Sequence, residues 1–94
     1  MDGIELFPSL SHCIETIARE KFWNSVNQYM KGGQEDKKLE DRIELLKAFL
    51  ESMDFKKLRS QSERYLTEGK QVKFAIFWKE GKLSYEMVVI KATD

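Results

Sequence analysis

A chain of 94 residues is the length of one domain, and 41% hydrophobic with 34% charged residues is the balance of a folded chain with a solvated surface, which excludes wholesale disorder. Sixteen Lys/Arg against sixteen Asp/Glu remove the simplest electrostatic case for a nucleic-acid or membrane partner. A lone cysteine, Cys13, excludes an internal disulfide and a zinc cluster built on thiolates, and a cytoplasmic location is expected.

The opening MDGIELFPSL holds no apolar run of signal-peptide length, and no stretch nears the ~18 apolar residues of a membrane span. Export by that route and a membrane partner are therefore not expected. The neutral total hides a split. Residues 1–54 carry seven Lys/Arg against eleven Asp/Glu, and residues 55–94 carry nine against five. A bipolar chain of this kind can pair with itself or with a charged partner.

Pro8, followed by SLSH, marks a helix start near residues 8–11. The first helix is expected over about residues 9–31. Its apolar residues form two groups: Leu10, Cys13, Ile14 and Ile17 share one face, while Ala18, Phe22, Val26, Tyr29 and Met30 centre roughly 140° away at about 100° per residue. Residues 18–30 contain no glycine or proline, so one long helix buried on two sides is the preferred reading over a break near AREK. Gly32 and Gly33 end it, and QEDKK forms a polar connection.

The second helix, about residues 36–53, is the clearest element. Leu39, Ile43, Leu46, Leu50 and Met53 repeat at alternating spacings of four and three, and Phe49 widens the stripe. Two heptads are too few for a coiled coil, so the stripe reads as one face of a helical core. Asp54 is placed to cap a third helix over about residues 55–68. Its apolar face is Phe55, Leu58, Ser62, Tyr65 and Leu66; Lys56, Lys57, Arg59, Ser60, Glu63 and Arg64 share the other, and Gly69 stops it.

The last element, about residues 71–91, is a β-hairpin turning on Glu80-Gly81, where glycine supplies a positive φ and glutamate is a poorer choice than Asn or Asp. With Lys79 and Lys82 flanking the turn, Trp78 faces Leu83, Ile76 faces Tyr85, Phe74 faces Met87 and Val72 faces Val89, all on one face. A hairpin cannot stand alone, so that face is expected beneath the helices. The expected fold is thus α+β, a single domain over residues 1–94, with three helices followed by a C-terminal antiparallel β-hairpin packed on them.

No catalytic constellation emerges, and the chain is read as non-enzymatic. Neighbours on a helix point about 100° apart, so His12 and Cys13 are no nucleophile–base pair, and His12 with Glu15 supplies only two metal ligands. Glu40, Asp41 and Glu44 intermingle with Arg42 and Lys47 as a solvated face would. GGQED lacks the lysine and hydroxyl of a phosphate loop, so no cofactor is expected.

Two surfaces stand out. The second hairpin strand, LSYEMVVI, has Glu86 as its one interior charge, and an open sheet edge of that kind invites a strand from a second copy. The expected function is a small protein-interaction or regulatory module that self-associates as a homodimer through this edge. Phe77, Lys73, Lys79, Tyr85, Val88 and Ile90 are its candidate surface. Of these, Phe77 with Lys73 and Lys79 is the one aromatic flanked by cations on the outer face, although cover by the first helix is preferred for Phe77. The alternative is nucleic-acid binding by the third helix, where Lys56, Lys57, Arg59 and Arg64 neutralise phosphates and Ser60 and Gln61 donate.

Overall fold

The hairpin is not alone in its sheet. The computed structural model describes residues 3–33 and 35–90, in the order β1 (Ile4–Leu6), α1 (Ile14–Gln28), a wide π turn (Tyr29–Gly33), α2 (Lys37–Ser52), α3 (Phe55–Thr67), β2 (Gln71–Lys79) and β3 (Lys82–Ile90). The fold is α+β as expected, but three helices followed by a hairpin must be corrected to β-α-α-α-β-β. The sheet is antiparallel with strand order β1-β2-β3. Gln34 in the connection, residue 91 of the expected hairpin and the termini of the 1–94 domain lie outside the described residues.

The register of β2 and β3 follows from the turn. Glu80 and Gly81 both take positive φ, 51° and 77°, which is the backbone of a two-residue hairpin turn that matches strand twist. Lys79 then pairs with Lys82, Trp78 with Leu83, Ile76 with Tyr85, Phe74 with Met87 and Val72 with Val89. β1 joins the far edge of β2, with Ile4 opposite Ile76 and Leu6 opposite Phe74. Alternation sends Ile4, Leu6, Val72, Phe74 and Ile76 into the core and Glu5 out to solvent.

α1 begins at Ile14, not near residues 8–11. The chain leaving β1 must turn from the sheet to the helical layer, and residues 9–12 close that turn with paired backbone bonds between Ser9 and His12, 2.8 and 3.2 Å. Pro8 is buried ahead of it. Beyond that point α1 runs unbroken to Gln28, and its two apolar groups meet different partners. Ile14 and Ala18 join the sheet core; further along, Val26 and Tyr29 sit beside Glu40 and Ile43 of α2, with the Tyr29 hydroxyl donating to Glu40 at 3.3 Å. Gly32, at φ 128°, leaves the helical conformation and ends the turn after α1.

α2 and α3 begin at carboxylate caps. Asp36 accepts from the backbone N–H groups of Lys38 and Leu39, and Asp54 from that of Lys57 at 3.2 Å, satisfying donors the helix itself cannot. α2 buries Leu39, Leu45, Leu46 and Phe49, and Phe49 meets Phe55 of α3 edge to face at 5.3 Å. α3 closes with Gly69 at φ 83°, where the N–H of Gly69 bonds Leu66 and that of Lys70 bonds Tyr65, the paired bonds of a Schellman motif. All three helices contribute to one core against one face of the sheet.

Candidate functional site

Cover of the sheet is uneven, and that unevenness defines the site. β2 is paired on both sides, so of its neighbours β3 alone presents a nine-residue strand with nothing on its outer edge among the described residues. In a two-residue hairpin the pair flanking the turn exchanges both backbone bonds, and the bonding alternates from there. Ser84, Glu86, Val88 and Ile90 therefore turn their N–H and C=O groups toward β2. Leu83, Tyr85, Met87 and Val89 turn theirs outward, where no strand meets them among the described residues. Backbone of this kind is a template for pairing with another chain.

The helical layer also stops short of this edge. Val72, Phe74 and Ile76 of β2 are buried, whereas Leu83, Tyr85, Met87 and Val89 on the same face of β3 are only half-buried. Between α3 and β3 lies an open groove of about 540 Å³, lined by Ser60, Gln61, Arg64 and Tyr65 on the helix and by Tyr85 and Met87 on the strand. The Tyr65 ring has two cations near it, the Arg64 guanidinium 5.8 Å and the Lys70 ammonium 5.7 Å from its centre. A strand laid along β3 would send alternate side chains into this groove, the arrangement by which sheet edges read extended partners. Neither the groove nor the part Tyr65 plays in it is visible in sequence periodicity, because its two walls are elements far apart in the chain.

The expected interaction residues do not form one patch. Tyr85 points into the groove, whereas Lys73, Phe77, Lys79, Val88 and Ile90 are on the outer face. There Phe77 is half-buried opposite Ser84 and outside the core cluster. α1 packs on the other face, so it does not provide the expected cover; the nearby residue ahead of β1 is Gly3, where a Cβ would lie 3.4 Å from that of Phe77. Lys73 is drawn into an ion pair with Glu5 of β1 at 2.7 Å. Val88 and Ile90 stand opposite Lys73 and Gln71, separated from Phe77 by the Ala75–Glu86 row. The trio of Phe77, Lys73 and Lys79 is thus divided, and Lys79 stands exposed beside the turn.

On α3, Lys56, Lys57, Arg59 and Arg64 are all exposed. Arg59 pairs with Glu63 at 3.7 Å, and among the described residues the other three make no ion pair. Arg59 also lines, together with Cys13, two small cavities of about 50 and 220 Å³ at the start of α1. The Cys13 sulfur lies 3.2 Å from the Thr16 hydroxyl. That hydroxyl is the main influence holding the thiol below its ordinary pKa, helped by the backbone of Thr16 and Glu15 and by the Arg59 charge, with burial acting in the opposite direction. His12 is exposed and bonded through Nδ1 to the Ser11 hydroxyl at 3.2 Å. No group of three or more His, Cys, Asp or Glu side chains converges as a metal site among the described residues.

A family model spans residues 4–90, from the first residue of β1 to the last of β3. The chain belongs to that family. Its span takes in both the β3 edge and the whole of α3. No curated protein and no solved structure matches the chain. Among the described residues no helix is long and apolar enough to cross a membrane.

Proposed function

We propose that the protein is a non-enzymatic interaction module that joins a second copy of itself by pairing β3 with β3 across a two-fold axis. The observation that supports this most is the nine-residue β3 edge, which has one interior charge, Glu86, and lacks three common protections: it has no proline, is not short and has no covering element among the described residues. β1 performs that covering for β2, and among the described residues no counterpart performs it for β3. A cytoplasmic location fits the single free thiol of Cys13.

Hydrogen exchange tests the pairing at the atoms concerned. The amides of Ser84, Glu86 and Val88, bonded within the sheet, should be protected at every protein concentration. Those of Leu83, Tyr85 and Met87 should exchange quickly in dilute solution and become protected as concentration rises. Fast exchange of the second set at all concentrations would refute self-association through this edge.

A second reading rests on the three cations of α3 that make no ion pair among the described residues, Lys56, Lys57 and Arg64, which share one exposed surface with Arg59. They suit a phosphate backbone. A gel shift that is strong at low salt, falls steeply with added salt and is lost on changing these four residues to alanine would support it; no shift at about 50 mM salt would remove it.

A further inference from the structure

Resting on the proposed self-association, we infer that the groove between α3 and β3 is half of a composite site, completed by Leu83 and Tyr85 of a second copy paired about Tyr85. The argument is one of register. Because the outward backbone groups belong to Leu83, Tyr85, Met87 and Val89, two antiparallel copies of β3 bond in phase only when the axis passes through a residue and not between residues. Three axes give long pairings within Lys82–Ile90: Tyr85 joins residues 82–88, Glu86 joins 82–90 and Met87 joins 84–90.

Charge chooses among them. An axis at Glu86 sets two carboxylates directly opposite each other on the outer face, where like charges destabilise a strand pair. An axis at Met87 sets each Glu86 against the Val88 of the other copy and brings no cation near it. With the axis at Tyr85, each Glu86 faces the other copy's Ser84, whose hydroxyl can donate to it. Lys82 of that copy stands on one diagonal, within reach of a long side chain; Glu86 of that copy stands on the other, as it also does with the axis at Met87, so the Tyr85 axis differs in adding a cation. On the inner face the same register sets Tyr85 against Tyr85 and Leu83 against Met87. Those side chains enter the groove beside Tyr65, where Tyr85 and Met87 are left half-buried in the single chain. The occupant that satisfies the edge, the groove and the outer-face charges together is the protein itself.

Disulfide trapping in a Cys13→Ser background tests the register. Antiparallel neighbours have Cα atoms about 4.5–5.5 Å apart, successive residues along a strand are spaced about 3.4 Å, and cysteines with Cα atoms more than about 7 Å apart do not bridge. Under mild oxidation, Tyr85→Cys alone should form a covalent dimer. Ser84→Cys, an outer-face change that leaves the core intact, should form no covalent dimer alone but should form a mixed disulfide when combined with Glu86→Cys. Covalent dimers of Met87→Cys alone, or a mixed disulfide between Ser84→Cys and Val88→Cys, would overturn this register while leaving self-association standing. No crosslink from any of these, together with a monomeric mass for the unmodified protein, would overturn both.

Discussion

Glu80 is the residue at which local chemistry and fold disagree. It sits in the left-handed region at φ 51°, a conformation costing roughly 1–2 kcal/mol for most L-residues and much less for asparagine. Glu80→Asn should therefore stabilise the protein by about 0.5–1 kcal/mol, read as a raised urea midpoint at constant slope. Gly69 shows the converse. It is held at φ 83° by the bonds that close α3, and Gly69→Ala should lose roughly 1–2 kcal/mol in the same assay. At Cys13 the lowered thiol pKa means that thiolate forms at a pH below that of an ordinary cysteine. The iodoacetamide alkylation rate should rise through a midpoint on the acid side of that of a free thiol. Thr16→Val, which removes the principal cause, should return the midpoint toward higher pH. A midpoint unmoved by that change would show that the hydroxyl is not responsible.

At the scale of elements, the outward and inward residues of β3 make opposite predictions for the same substitution. Proline lacks the backbone donor. Met87→Pro removes an N–H that faces open solvent in the single chain, so the fold should persist by circular dichroism while self-association is lost. Val88→Pro removes a donor to β2, leaving an acceptor on Lys73 unpaired at a cost of roughly 1–3 kcal/mol, and should lower thermal stability whether or not the protein associates. Equal behaviour of the two variants would mean that the alternation along β3 is misassigned. The hairpin was legible in the sequence because Gly81 sets the turn and a side-chain period of two then fixes every pair from Lys79–Lys82 to Val72–Val89. The stripe of α2 was legible from its own period of 3.6, although Leu45, off the expected stripe, is buried with it. β1 was not: Ile4–Leu6 is three residues long, too short for periodicity to register, and it exists because β2 offers an edge. The start of α1 shifted for a related reason, since the turn at Ser9–His12 is required by β1. The α3–β3 groove was illegible because no local pattern connects Tyr65 with Tyr85 and Met87.

For the molecule as a whole, the two readings of its surface respond differently to salt. Strand pairing rests on backbone hydrogen bonds and apolar side chains, with Lys82 and Glu86 exposed on the outer face, so self-association should weaken only modestly as salt screens exposed charge. Binding of nucleic acid by the α3 cations should instead fall with a logarithmic slope of about −0.9 per phosphate neutralised on a duplex. The measurement that bears most directly on the account is sedimentation equilibrium of the unmodified protein over a dilution series reaching tens of micromolar. A mass rising with concentration to twice that of one chain is the predicted result; a single-chain mass throughout would contradict pairing through β3.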